Sequence, residues 1–347
     1  MNHSTVKSFT FGIGLFFTLP LVYGNSSSPS SSDGTLYINK SKTHKVAPVK
    51  YGFHYEEIGM MGEGALHAEL IRNRSFEEAT PPAGLSVKNG LYENVPAPRV
   101  KEKKVFQADP LIGWTTYPLS YTPVFISRTD ENPMSGENKY SMLVNVTEDI
   151  ANHSDALILN RGYYGMNLKT DTSYRLSLFL KNRNYSAPLR VFLVDEWGQR
   201  VSNVIEVNVG NRDWTKYTGE LKPEKNVRRG MFAIQPMSKG QFQIDVVSLF
   251  PSDTWNDGKS VFRKDIVQNL KEFSPSFIRF PGGCIVHGVN EETMYHWKKT
   301  LGPIENRPGQ WSKWAPYYRT DGIGYHEFYE LCEYVGAEDR KSTRLNS

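Results

Sequence analysis

The sequence predicts an α/β chain interrupted by an all-β segment. It opens a β/α series (strand, helix, strand, loop, helix) and carries an antiparallel β-sandwich inserted after the first strand. Three observations predict this. Between about residues 86 and 250 short runs alternate apolar and polar residues: SMLVNV (141–146), YRLSLFLKN (174–182), LRVFLVDE (189–196), VIEVNVG (204–210) and FQIDVVSLF (242–250). Gly, Asn, Asp and Pro separate them, the pattern of antiparallel strands in a sandwich or jelly roll. After Pro251 the helical period returns, with Phe262, Ile266, Leu270 and Phe273 on one face of 260–273. Pro275 stops that helix, and FIRF (277–280) is then a short strand of buried type.

The remaining elements follow in chain order. Residues 1–24 read as a secretory signal: Lys7 precedes an apolar stretch, Phe9 to Val22, too short to span a membrane. An N-terminal membrane anchor is the alternative. Residues 25–34 (NSSSPSSSDG) form a flexible linker. Thr35 to Lys50 fits an edge strand, and YGFHYEEIG (51–59) an aromatic strand ending in two carboxylates. ALHAELIRNRSFEE (65–78) reads as one or two helical turns, with Ala68, Ile71 and Phe76 on one side. The domains are therefore 35–85 (N-terminal strand and first strand of the series), 86–250 (inserted sandwich) and 251–338 (continuation of the series).

Residues 324–336 are expected to be a helix with Phe328, Leu331, Cys332 and Val335 on its apolar face and Gly336 as its stop. An apolar strand should follow. Instead 339–347 (DRKSTRLNS) holds one apolar residue and three positive charges. This run reads as a non-native tail on a truncated reading frame, with a natural basic tail as the alternative.

Composition removes several classes of function. The chain has 347 residues, 22% of them charged, with a net charge of +4 and no long basic run, which argues against nucleic acid as a partner. Two cysteines exclude a disulfide scaffold and a zinc-finger pattern. Neither GxxxxGK nor GxGxxG is present to cradle phosphate, and there is no GxSxG or HExxH. No cofactor or metal is implied. After signal cleavage nothing calls for a membrane, so the chain is expected to be secreted or periplasmic.

Three places can carry chemistry. Glu56 and Glu57 end the first strand, and neighbours on a strand face opposite sides, so they are not an acid/base pair by themselves. In a β/α barrel, carboxylates at the C-terminal strand ends overlie the active site. RFPGGC (279–284) follows the second strand; its glycines permit close backbone approach, and Arg279 can order a carboxylate. The loop 289–323 carries Trp297, Trp311, Trp314, Tyr317 and Tyr318, and flat rings stack on sugar faces. Packing of the loop is the competing use of these rings. Cys284 near His287 could form a nucleophilic pair, although a thiol lining a pocket fits better. Cys332 reads as core.

Several blocks, in order, resemble glycoside hydrolase family fifty-one. They are GFHYEEIG (52–59), GEGALHAELIRNRSFEE (62–78), VSLFPSDTW (247–255), RKDIVQNLKEFSPSFIRFPGGC (263–284), WKKTLGPIENRPGQW (297–311) and TDGIGYHEFYELCEYVGAE (320–338). The resemblance covers roughly 35–338 and is to the α-L-arabinofuranosidases with an inserted carbohydrate-binding-like sandwich. It implies a (β/α)8 TIM barrel, of which this chain holds the first two β/α units, followed by a C-terminal β-sandwich. It further implies retaining hydrolysis of terminal α-L-arabinofuranosyl groups from arabinan, arabinoxylan or oligosaccharides bearing arabinose. The two catalytic Glu, about 5–5.5 Å apart in retaining sites, would lie on the fourth and seventh strands. The chain would then be an inactive N-terminal part of the enzyme.

The resemblance also carries site residues. Glu56 matches the first-strand carboxylate that hydrogen-bonds the sugar, Cys284 the position after the glycine pair, and Trp314 the aromatic of the second loop. His287 departs from the family, whose close relatives place Glu there. The sandwich looks like a xylan- or glucan-binding module, with Trp114, Trp197 and Trp214 as platform rings, although burial in the core is the commoner fate of Trp in a sandwich. A homo-oligomeric parent stays open. The second reading is a secreted plant-polysaccharide-binding protein without chemistry.

Overall fold

The computed structural model describes residues 41, 51–78, 86–88, 91–93, 105–107, 109–150, 155–288, 294–311 and 318–341. The signal, the linker, nearly all of the proposed strand at 35–50, Trp314, Tyr317 and residues 342–347 lie outside the described residues. Among the described residues no helix is long and apolar enough to cross a membrane.

The β/α series is present as a three-stranded parallel sheet. Strand β1 (Gly52–His54) pairs with β16 (Phe277–Phe280), which pairs on its other side with β19 (Glu338–Lys341). Helix α1 (Lys264–Phe273) precedes β16, and α3 (Tyr325–Val335) precedes β19. Gly52 is required by proximity, because a Cβ there would meet the Phe277 carbonyl oxygen at 2.4 Å.

The α3 face expected from the sequence is buried, with Phe328, Leu331, Cys332 and Val335 all in the core and Gly336 capping in the left-handed conformation at φ 74°. Helix α1 starts at Lys264, later than the pattern suggested. Phe262 lies before it in an extended bridge to His67 and is fully buried, whereas Phe273 at the far end is 53% exposed.

Strand β19 was not expected. Its four residues, Glu-Asp-Arg-Lys, are all exposed. Backbone pairing to β16 places it, helped by the Arg340 guanidinium over the Phe277 ring at 4.6 Å. The parallel sheet therefore runs across the position where the non-native tail was expected to begin.

The inserted segment forms two larger antiparallel sheets around one apolar core. The first runs β13 (Thr215–Leu221), β10 (Tyr174–Asn182), β15 (Gly240–Pro251), β7 (Ser141–Val146), β6 (Val124–Thr129). The second runs β12 (Ile205–Asn208), β11 (Pro188–Val194), β14 (Val227–Gln235), β8 (Leu157–Asn160), β5 (Trp114–Tyr117), with β9 (Met166–Leu168) also on β14. Leu176, Leu178, Leu180 and Ile244 from the first meet Val191, Leu193, Phe232 and Ile234 from the second. Period-two alternation predicts this one-sided burial. Residues 86–88, 91–93 and 105–107 form a separate three-stranded antiparallel sheet of β2 (Ser86–Lys88), β3 (Leu91–Glu93) and β4 (Val105–Gln107).

The helical reading of 65–78 is corrected. One irregular helical turn, Gly62–Leu66, precedes extended and looped backbone with positive φ at Asn73 and Phe76. Polar side chains outcompete helix here. Glu69 accepts from the N–H groups of Ile71 and Leu249, Asn73 from that of Glu78, and Asn160 brackets the N–H and C=O of Arg72. The apolar expectation survives in a different form, with Ile71 and Phe76 buried in the sandwich core.

Candidate functional site at the ends of the parallel strands

The site grows from the C-terminal ends of β1 and β16. The N–H of Tyr55 donates to the Arg279 carbonyl at 2.8 Å, which keeps the chain in register just past β1. Glu56 then projects toward the glycine turn, where its Oε1 accepts from the Gly283 N–H at 3.2 Å and lies 3.6 Å from Arg279 Nη1. Gly282, at φ 132°, leaves room for this, because a Cβ there would sit 2.7 Å from Glu56 Cγ. Cys284 is half-buried and opens the short helix α2 (Cys284–His287). Glu56 and Arg279 thus meet at the glycine turn that Cys284 follows. The exposed His287 ring places Nδ1 3.1 Å from the Gly288 carbonyl in its own loop.

Glu57 points the other way, into a buried polar cluster that sequence reasoning missed. It is 5% exposed and accepts from the Gly62 N–H at 2.8 Å and the Tyr55 hydroxyl at 3.5 Å. Burial and the neighbouring Glu63 charge push its carboxyl up to about 8. Glu63 is the counterpart. Burial would raise it, yet the His67 ring, the Thr320 hydroxyl and the Arg74 charge outweigh that and hold it down to about 2. Its Oε1 accepts from Thr320 Oγ1 at 2.7 Å and Thr320 N at 3.2 Å, and its Oε2 lies 3.6 Å from His67 Nδ1.

On the far side Arg319 pairs with Asp321 at 2.5 Å and stacks on Tyr295 at 4.8 Å. Arg307 clamps Glu327 with two bonds of 2.7 and 3.0 Å, and Glu327 also accepts from the Gly324 N–H at the start of α3. The sequence marks Glu57 only as the neighbour of Glu56, and the Glu63–His67 spacing is the one local signal; Thr320 reaches Glu63 from 257 residues further on.

The aromatic candidates divide. Trp114 as a sugar platform is corrected: it is 6% exposed, in the sandwich core, and its Nε1 donates to the Asn73 carbonyl. A ring enclosed on both faces cannot stack on a sugar. Trp197 is 72% exposed on the turn after β11. Trp214 is half-buried before β13, on the other sheet, with its Nε1 bonded to the Asn132 carbonyl. Tyr318 packs inside, and Trp297 is 44% exposed.

Comparison with known proteins now assigns a class. The profile of the alpha-L-arabinofuranosidase 1 domain matches residues 269–340, which spans β16, α3 and most of β19. Alpha-L-arabinofuranosidase 1 of Arabidopsis thaliana is 28% identical over 83% of this chain and 39% of its own length. An extracellular exo-alpha-L-arabinofuranosidase of Streptomyces chartreusis is 27% identical over 83% of this chain and 31% of its own. An arabinose-bound α-L-arabinofuranosidase of glycoside hydrolase family fifty-one superposes with a TM-score of 0.70 at 26% identity, covering 87% of this chain and 45% of that one. The chain thus resembles the family fifty-one α-L-arabinofuranosidases in sequence and fold. It spans less than half the length of these relatives.

Proposed function

We propose that the chain is the N-terminal part of a secreted α-L-arabinofuranosidase that hydrolyses terminal α-L-arabinofuranosyl groups of arabinan or arabinoxylan with retention. One observation supports it above the others: Glu56 is fixed on the Gly283 N–H beside Arg279 and Cys284, at the ends of two parallel strands. A carboxylate held there can accept hydrogen bonds from sugar hydroxyls, and Cys284 offers a small, uncharged wall.

Glu56 binds sugar and does no acid/base work. Glu57 is buried behind it and acts in the fold. The nucleophile and proton donor are assigned outside residues 1–347, on later strands of a (β/α)8 barrel, so these residues alone perform no hydrolysis. The 347-residue polypeptide should release no arabinose from 4-nitrophenyl α-L-arabinofuranoside, and measurable release would overturn that assignment. In a polypeptide extended through the later strands, Glu56→Ala should lower kcat/KM by roughly 10–100-fold, the loss of one hydrogen bond to a charged group. Unchanged kinetics would remove Glu56 from the site.

A further inference from the structure

The pattern Asn-x-Ser/Thr occurs at three places among the described residues: Asn73-Arg74-Ser75, Asn145-Val146-Thr147 and Asn184-Tyr185-Ser186. It is the acceptor pattern for N-linked glycosylation, a bulky modification that a folded chain carries only at its surface. The structure treats the three places differently.

Asn73 is closed to it. The residue is 2% exposed, its Nδ2 donates to the Pro110 carbonyl at 3.1 Å, and its Oδ1 accepts from the Glu78 N–H at 3.3 Å. A sugar on that nitrogen would find no room. Asn145 is half-buried within β7, and its Oδ1 accepts from Gln241 Nε2 at 3.2 Å.

Asn184 is exposed on the turn between β10 and β11, and so is Ser186, while Tyr185 between them is 3% exposed. Tyr185 anchors the turn. Its hydroxyl donates to the Pro188 carbonyl at 3.2 Å and accepts from the Met237 N–H at 2.6 Å. Asn182 brackets its N–H and C=O at 2.8 and 2.9 Å. The buried ring thereby holds Asn184 and Ser186 outward together.

The Asn184 carboxamide has a fixed sense. The Gln241 N–H can only donate, and it meets Oδ1 at 2.6 Å. Nδ2 has no hydrogen-bond partner among the described residues. N-linkage consumes Nδ2 and spares Oδ1, so the turn keeps this bond after modification. Beside Asn184 the surface opens into a recess of about 520 Å³, bordered also by Asn145, Ser186 and Lys239. A sugar ring on Nδ2 meets that open space rather than packed side chains.

We propose that Asn184 is an N-glycosylation site, taking an oligosaccharide from a lipid-diphosphate-linked donor. In the transfer Nδ2 bonds to the anomeric carbon of the first sugar, and the bond from that carbon to the diphosphate oxygen breaks. The lipid diphosphate leaves with the electron pair, and Nδ2 gives one of its two protons to the transferring enzyme. The inference draws on the proposed function only for export across a secretory membrane.

The test is expression in yeast with a host secretory leader in place of residues 1–24, so that entry to the secretory pathway does not depend on the chain's own leader. A parallel sample with residues 1–24 intact checks the export reading by itself. Peptide N-glycosidase turns a glycosylated Asn into Asp, which peptide mass spectrometry reads. Position 184 should be converted in most chains, and position 73 should stay Asn. Ser186→Ala leaves Asn184 and its bond to Gln241 in place and should lose the conversion at 184, Ser186→Thr should keep it, and Asn145→Gln should leave it untouched. An unconverted position 184 would overturn the proposal, whether the chain reaches the medium or stays in the secretory membranes. So would equal conversion in Ser186→Ala, or conversion of position 73 in soluble secreted protein, because burial would then not decide acceptance.

Discussion

Replacing Gly282 by Ala should damage this protein far more than the same change one residue later. Gly282 sits at φ 132°, a region open almost only to glycine, and its added Cβ would meet Glu56 Cγ at 2.7 Å and Cδ at 2.8 Å. Ordinary carbon contacts are about 3.5–4.0 Å. The backbone strain is worth about 1–3 kcal/mol and the overpacking a similar amount, so the total loss is about 2–6 kcal/mol. At Gly283 φ is −91°, which any residue adopts, and the nearest atom is the end of the Arg279 side chain at 3.3 Å. Gly283→Ala should therefore lose less than about 1 kcal/mol. Urea unfolding of both variants checks this, with the Gly282→Ala midpoint clearly lower. In addition, Gly282→Ala should push Glu56 off the Gly283 N–H, because the clash is with that side chain. Equal midpoints for the two variants would refute the reasoning.

Two further outcomes follow from the buried charges. The carboxyl of Glu57 is raised from an ordinary 4.5 to about 8. Its contribution to stability is fully present below pH 4.5 and is lost as pH rises toward 8, so Glu57→Gln should gain in melting temperature relative to the parent across that window. A difference that stays flat with pH would count against the raised carboxyl. Arg307→Met should lose about 3–5 kcal/mol in urea unfolding, because it leaves the Glu327 carboxylate buried without its bidentate partner. Arg307→Lys should recover only part of that, since a single ammonium cannot reproduce the fork. Full recovery by Lys would show that charge alone, not geometry, holds α3.

Local pattern and long-range placement were not equally readable from the sequence. The strands of the sandwich announced themselves by alternation, because each has one face in the core and one outside it. Helix α3 was legible down to its four buried residues and its glycine stop. The meeting of Glu56 with the Arg279–Gly283 turn was open to expectation because strand ends in a parallel sheet lie side by side, whereas the sugar-site roles of Glu56 and Cys284 came only from the resemblance. The segment 65–78 misled, since its apolar spacing fits a helix while Glu69, Asn73 and Asn160 tie its backbone elsewhere. Strand β19 gave no signal at all: it carries no apolar residue, and only pairing with β16 defines it. The Glu57–Glu63 cluster was legible only in its local Glu63–His67 spacing, since Thr320 meets Glu63 across 257 positions of chain. Sequence left Trp114 open between platform ring and core, and its indole N–H donates to the Asn73 carbonyl inside the sandwich.

The stretch that fails to be a helix also changes what can be inherited as a piece. Ile71 and Phe76 sit inside the sandwich core, Asn73 receives the Trp114 indole, and Glu69 holds the end of β15. The seam between host and guest therefore does not fall at residue 86, where the alternating pattern begins. It lies upstream, near His67. A recombination event that moved only residues 86–250 into another protein would deliver a sandwich with a Phe-sized gap and a severed last strand. A transferable version of this module has to travel with its strap, so the host scaffold and its insert are bound to diversify together.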